Sequence, residues 1–372
     1  MSMFKKIGSF LTKPDLFFYA LIWMMVILVF GTVAQKYVGL YRAQHMYFFS
    51  YYWWLGPVPL PGGYPTMAVI FLNLLAKLFF ASPWHPTRAG TLIVHFGALL
   101  LLTGGLLTAL FSREGNMTIY EGTKSDYFSD YHERELVVED GSSGEKVIAY
   151  PWKDLKTGKI LSVPKLNFTI EIVKAFRNCE MVPRSGKTDD PLFKELRGRA
   201  KDFDMKSAPL EKEDEINKSG IMFRVAGASP EKNGIHFTVD FVSVSPWIEV
   251  DGTTYTISLR RARTFLPFKI KLLDFEKQVY QGTDIPSSYK SVVEVMEGDS
   301  QWRSIIRMND PLRYKGYTFY QSSFIEGEDK SATILAVVKN TGRLFPYISS
   351  IIMCVGLLIH LFLQLPKLIK KS

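Results

Sequence analysis

The run Thr91–Leu102 is apolar except for one residue, His95. A titratable ring in hydrocarbon is costly and tends to face a partner. Imidazole is also a common ligand of iron. His95 is therefore either bonded to a neighbouring helix or a metal ligand held at membrane depth. A second histidine, His360, stands in another apolar run near the C-terminus. Elsewhere, His132 is isolated in sequence, and His236 falls on the polar side of the alternating stretch Ile235–Phe241, so a solvated ring is expected there. The two cysteines, Cys179 and Cys354, lie in segments of opposite character, which argues against a bridge. No C-x-x-C occurs, which argues against thiol–disulfide exchange, nor does C-x-x-C-H, so this chain does not carry a covalent c-type haem. G-x-S-x-G, H-E-x-x-H and a phosphate-binding loop are also absent.

The elements that must hold these histidines are membrane spans. Four segments approach the roughly 20 apolar residues that a spanning helix needs: Leu16–Ala34, Thr66–Ala81, Gly90–Phe111 and Leu344–Leu365. The second is short and carries Asn73 and Lys77. Thr32-Val33-Ala34 is a passable cleavage site, but the first run exceeds a signal core of about 7–15 residues. Lys5, Lys6 and Lys13 precede the first span, and Lys367, Lys370 and Lys371 follow the last. Basic flanks of this kind place both termini in the cytoplasm and residues 112–343 outside, with Lys36 and Arg42 read as the exceptions. His95 and His360 then each lie about five residues from a cytoplasmic span end, roughly 7.5 Å deep at 1.5 Å per residue. Two neutral imidazoles at one level can bind one haem iron from opposite faces, or each can pair with a histidine of another chain. Arg88 and Lys77 fall near the same boundary, either as ordinary positive-inside anchors or as contacts for haem propionates.

The chain has 372 residues and a net charge of +9. The excess of basic residues flanks spans, which argues against nucleic acid as a partner. The hydrophobic fraction is 47% but the mean hydropathy only +0.05, because apolar residues cluster at the two ends. Residues 1–111 are expected to hold three helices and an aromatic outer loop at 35–65, residues 112–343 an extracytoplasmic β-rich domain, and residues 344–372 the last helix and a basic tail. Tyr41, Tyr47, Phe48, Phe49, Tyr51, Tyr52, Trp53 and Trp54 suit an interfacial belt, or a short amphipathic segment lying on the outer surface. Alternation at Ile235–Phe241 and Thr254–Leu259 predicts antiparallel strands in a sandwich or open barrel. The charged stretch from Arg184 to Gly220 reads as a helical insertion or a loop.

One long stretch stands apart, Arg307-Met308-Asn309-Asp310-Pro311-Leu312-Arg313-Tyr314-Lys315-Gly316-Tyr317-Thr318-Phe319-Tyr320-Gln321-Ser322-Ser323-Phe324. Locally it is a turn leading into an aromatic strand. Asn309 and Asp310 can bond their own backbone ahead of Pro311, and Tyr317 and Phe319 share one face. The stretch resembles the ResB (CcsB) family of System II cytochrome c biogenesis, whose outer domain ends in a similar pattern before its last span. Gly31-Thr32-Val33-Ala34-Gln35, His95-Phe96-Gly97, Glu114-Gly115 and Glu121-Gly122 are shorter likenesses to the same family.

The resemblance implies a subunit that moves haem b, held non-covalently, across a bacterial cytoplasmic membrane and helps attach it to apocytochrome c. It implies a CcsA (ResC) partner bearing a Trp-rich haem motif, which this chain lacks: Trp53-Trp54 runs into Leu55-Gly56-Pro57. On that reading the chain is a non-catalytic or co-catalytic subunit of a holocytochrome c synthase. His95 is then a haem ligand, completed by His360 or by the partner. Asn309, Asp310, Arg313, Tyr317 and Tyr320 would dock partner or substrate. The competing expectations are a b-type cytochrome in quinol-linked electron transfer and a cofactor-free scaffold that docks apoprotein.

Overall fold

Among the described residues of the computed structural model, four helices are long and apolar enough to cross a membrane. The structure describes residues 10–82, 84–163, 166–184, 191–242, 245–283, 286–327 and 330–369; Lys5, Lys6, Lys370 and Lys371 lie outside them. Helix α1 is Pro14–Val38, with Pro14 at its start and Asp15 in its first turn. Helix α2 is Gly63–Ala76, prolonged by a wider turn to Ala81. Helix α3 is Ala89–Phe111 and α4 is Phe345–Ile369. Packing divides the chain into two units. One holds the helices together with Arg313–Thr318 and Val338–Ser372, and the other holds Glu114–Leu312 and Phe319–Val337.

Within the helical unit, polar groups and small residues set the contacts. Asn73 is buried, and its amide donates to the carbonyls of Leu11 at 2.6 Å and Lys13 at 2.9 Å. The polar residue in the short second span is thereby satisfied, as hydrocarbon requires. Helices α3 and α4 touch through backbone. Gly90, Gly97 and Gly104 recur at seven-residue steps on α3, opposite Gly356, Ser349 and the Gly342 that precedes α4. A Cβ on Gly90 would lie 2.4 Å from the backbone nitrogen of His360, and one on Gly356 would lie 2.9 Å from Val94. Small residues at such steps let membrane helices approach closely enough for dispersion and backbone contacts to hold them.

The aromatic loop is neither a plain belt nor a lone amphipathic helix. A short helix Leu40–Ala43 and a wide turn Gln44–Phe48 lead into a hairpin of β1 (Tyr52–Leu55) and β2 (Val58–Pro61). The hairpin folds back along α1. Trp53 is buried among Trp23, Phe30 and Tyr47, with ring centroids 5.1–6.4 Å apart. The Trp23 indole donates to the Pro61 carbonyl at 3.1 Å. Gly31 leaves room for the Phe48 ring, whose Cζ a Cβ would meet at 2.6 Å. Tyr51, Tyr52 and Trp54 stay exposed and keep the character of a belt.

The second unit is both sandwich and barrel. Its strands are β3 (Arg113–Tyr120), β4 (Lys124–Asp140), β5 (Lys146–Pro151), β6 (Ile160–Ser162), β7 (Thr169–Phe176), β8 (Cys179–Pro183), β9 (Phe203–Ser207), β10 (Gly220–Ala226), β11 (Gly234–Val239), β12 (Trp247–Val250), β13 (Thr253–Val279), β14 (Pro286–Glu297), β15 (Ser300–Arg307), β16 (Leu312–Tyr314), β17 (Tyr317–Ile325) and β18 (Ala332–Lys339). The large sheet runs β15-β14-β13-β4-β3-β18-β17-β16, with β12 and β5 flanking. The small sheet runs β11-β10-β7-β6. It packs through Ile170, Ile172, Ile221 and Phe223 on Leu136, Val138, Ile248 and Ile257. Elsewhere the large sheet curls. Ser291 on β14, Gln321 on β17 and Thr333 on β18 are buried and mutually bonded at 2.6–2.9 Å, although β14 is not a neighbour of either strand. Side chains from distant strands meet only across an enclosed interior.

Residues Arg184–Gly220 are folded where described, not a loose insertion. β8 pairs with β9, and Cys179, Leu196 and Met205 cover the second face of the small sheet beside Ile235 and Phe237. Both faces of β11 are therefore buried, which overturns the solvated reading of His236. Its ring is 3% exposed, stacks on Phe223 at 5.9 Å and donates through Nε2 to the Lys232 carbonyl at 2.8 Å. Burial depresses its pKa.

A buried ionic knot ties this region to β4. Arg134, 1% exposed, donates to Asp240 at 3.0 Å and to the Asn217 carbonyl at 3.1 Å. Asp214 accepts from Arg177 at 2.8 Å and lies 3.1 Å from His132 Nδ1. Burial pushes the Asp214 carboxyl up, but the hydrogen bonds of His132 and Arg177 outweigh it and hold the pKa at about 2. A depressed carboxyl pKa stabilises the fold above the unfolded value near 4, and that stability is lost as pH falls toward 2. Asp214→Asn should cost about 2 kcal/mol at neutral pH. In urea unfolding of the full chain, the variant should also lose the part of the wild-type acid sensitivity between about pH 4 and pH 2.

Candidate functional site

His95 and His360 converge on one residue. His95 Nδ1 lies 2.8 Å from the Thr91 carbonyl, one helical turn back, and His360 Nδ1 lies 3.3 Å from the Thr91 hydroxyl. A carbonyl can only accept, so Nδ1 of His95 carries a proton, and in the neutral ring Nε2 presents a lone pair. Both rings are half-buried. The hydroxyl can donate or accept, so either tautomer of His360 fits it. Thr91, which pattern reading passed over, is the hinge of the pair. Its signal was the i, i+4 spacing to His95.

The cationic candidates are less engaged. Arg88 is exposed and Lys77 half-buried, and neither makes an ion pair among the described residues. His85 is exposed, and its ring caps the turn before α3 by accepting from the Thr87 amide at 3.3 Å. His45 Nδ1 donates to the Tyr41 carbonyl at 2.9 Å. Among the described residues, no three His, Cys, Asp or Glu side chains converge as metal ligands. Cys179 is a free, buried thiol pushed up to about 12 by burial, with Asp240 adding to the shift. A thiol in that state is inert.

The long motif separates into structural and exposed parts. Its opening turn closes through backbone: Arg307 N to Asp310 O at 3.0 Å and Asp310 N to Arg307 O at 3.2 Å. Asn309 and Asp310 are exposed, and no side-chain hydrogen bond of either is found among the described residues. The self-bonded turn expected from their side chains is thus not what holds this corner. Lys315 at φ 47° and Gly316 at φ 80° form the two-residue turn between β16 and β17. Tyr317, Thr318 and Phe319 are all buried, whereas Tyr320 and Arg313 are exposed. Gln321 belongs to the barrel triad. Of the five candidate docking residues, Asn309, Asp310 and Tyr320 belong to the β unit, and Arg313 and Tyr317 to the helical unit.

The shorter motifs have packing roles. Glu121 accepts from the amides of Phe275 at 3.0 Å and Ser331 at 3.2 Å, joining β13 to the segment before β18. Gly115 passes so near β4 that a Cβ would lie 2.1 Å from the Ser129 carbonyl oxygen.

Among known proteins, residues 245–336 match the model of the ResB-like family. The match runs from just before β12 into β18 and contains the long motif. The chain is also 25% identical over 308 residues to Protein NrfI of Wolinella succinogenes, which covers 79% of this chain and 29% of that protein. This chain therefore spans less than a third of the length of that relative.

Because Asp310 is exposed and its side chain unbonded, Asp310→Ala should change unfolding stability by less than about 0.5 kcal/mol. A loss near 1 kcal/mol in urea unfolding, the size of a side-chain cap, would restore the self-bonded turn.

Proposed function

The chain is ResB-like, and we propose that it handles haem for cytochrome c maturation in a bacterial cytoplasmic membrane, beside a CcsA-like multispan partner. The family match and the likeness to NrfI support a role in cytochrome c biogenesis. The haem part rests on one observation: the Thr91 carbonyl fixes His95 with Nε2 as the acceptor nitrogen. Haem, when bound, supplies an iron that takes a neutral imidazole nitrogen. A ligating imidazole ordinarily donates its other N–H to a carbonyl or carboxylate, which sets tautomer and ring orientation. His95 has that support in place.

His360 is a weaker candidate for the second ligand. Its backbone is pressed against Gly90, which leaves no gap between α3 and α4 for a macrocycle at that level. That contact favours ligation on an outward side of the helix pair, with the second ligand supplied by the partner. His360 and Thr91 then hold α3 and α4 in register. The exposed Arg88 just before α3 is the first candidate for propionates, and the half-buried Lys77 the second. The β unit, on the outer side, offers Asn309, Asp310 and Tyr320 to apocytochrome. We assign bond formation at the haem vinyl groups to the partner; the thiol of the β unit, Cys179, is buried and inert.

The test is haem content, read from the b-type absorbance of the chain purified with its partner. His95→Ala should remove most of it, and cytochrome c maturation with it. His360→Ala should retain most. Thr91→Val, which keeps the carbonyl and loses the hydroxyl, should retain it too. Full haem in His95→Ala would refute ligation by His95. Equal loss in His360→Ala would restore the bis-histidine site within this chain.

A further inference from the structure

The helical unit carries a basic cradle that neither the histidines nor the haem reading uses. The turn Arg313–Thr318 and the segment Lys339–Leu344 line an open groove of about 460 Å³. Arg313, Lys315, Lys339 and Arg343 line it, with Tyr314 and Tyr317, and among the described residues no acidic side chain does. Lys339 Nζ sits 5.0 Å from the Tyr317 ring centroid and Lys315 Nζ 5.8 Å from that of Tyr314. Arg313 and Arg343 are exposed, and neither makes an ion pair among the described residues. Arg313, Lys339 and Arg343 around one concavity repel each other, and a bound anion offsets that repulsion.

The cradle has a fixed level. The Thr108 hydroxyl donates to Asn340 at 2.9 Å, and the Ser112 hydroxyl to the Lys339 carbonyl at 3.1 Å. A Cβ on Gly342 would lie 2.3 Å from the Gly104 carbonyl oxygen. Lys339–Arg343 is thus pinned to the last turns of α3 and leads straight into α4, at the boundary where both spans end. Leu110, Phe111 and Leu344 beside it are more than half exposed. Cations at headgroup level above exposed apolar side chains match the charge pattern of a phospholipid. On the outer-facing topology, Arg113, Lys339 and Arg343 join Lys36 and Arg42 as basic residues on the side that the orientation rule disfavours.

We propose that this cradle binds the phosphate of an anionic phospholipid, with the acyl chains lying along Leu344, Leu110 and Phe111. The proposal does not rest on the haem reading, because His95→Ala should leave it untouched. The experiment is native mass spectrometry of the full chain released from nanodiscs of phosphatidylcholine doped with phosphatidylglycerol. Wild type should retain phosphatidylglycerol in preference to phosphatidylcholine. The double variant Lys339→Gln, Arg343→Gln should lose that preference roughly tenfold or more. Arg343→Lys alone should keep it. Lys36→Gln with Arg42→Gln, which removes charge outside the cradle, should also keep it. Undiminished preference in the cradle variant overturns the proposal, as does equal loss in the Lys36, Arg42 control. Thermal stabilisation by inorganic phosphate in detergent matching that by phosphatidylglycerol overturns the lipid as ligand in favour of a soluble anion.

Discussion

The backbone contact between α3 and α4 governs the helical unit. Without a hydrophobic driving force between helices in lipid, association depends on how closely backbones come together. Gly90, Gly97 and Gly104 supply that closeness, and each would be blocked by a single methyl group. The contact sets the register that brings His360 to Thr91 at one end of the pair and Asn340 to Thr108 at the other. Both candidate sites of the helical unit are thus consequences of one packing line. Their side chains are ordinary, and their placement is not.

In the β unit the governing constraint is satisfaction of buried polar groups. Arg134, Asp214, Asp240, Ser291, Gln321 and Thr333 all lose water and all find partners. Such groups cost far more when left unpaired than they contribute when paired. They therefore specify one arrangement of the sheets more than they stabilise it. Much of the family-like sequence serves this end. Gln321, Glu121 and Gly115 are explained by bonds or close approach inside the unit, and Asn309, Asp310 and Tyr320 are among the motif residues on its surface.

The spans were legible because length and apolarity are read directly against bilayer thickness. So were the mainly-β character of residues 112–343 and the resemblance to ResB. The environment of His236 was not. Alternation reports that one face of a strand is apolar, but it is silent on whether a second layer covers the other face. Here Cys179, Leu196 and Met205 come from a segment whose composition read as loose, and pairing between β8 and β9 organises it. Asn73 looked like a defect in a short span until its carbonyl partners at Leu11 and Lys13 were visible. The glycine steps on α3 were present in the sequence, but their meaning depends on a partner helix hundreds of residues away. For the candidate site, His95 stood out as polar in an apolar run. Thr91 did not, because its role passes through a main-chain oxygen that sequence does not display.

The order of strands in the large sheet bears on synthesis. β3 follows α3 almost at once, yet its neighbour β18 is made only just before α4. Until then β3 has an open edge, with unpaired backbone groups that invite pairing with other chains. β4 waits in the same way for β13, since Lys124 pairs with Lys271. Pairings between residues so far apart in sequence form slowly. The sheet therefore closes only when β18 has been made. That strand is followed directly by α4, so closure of the sheet and emergence of α4 fall at the same moment in the life of the chain.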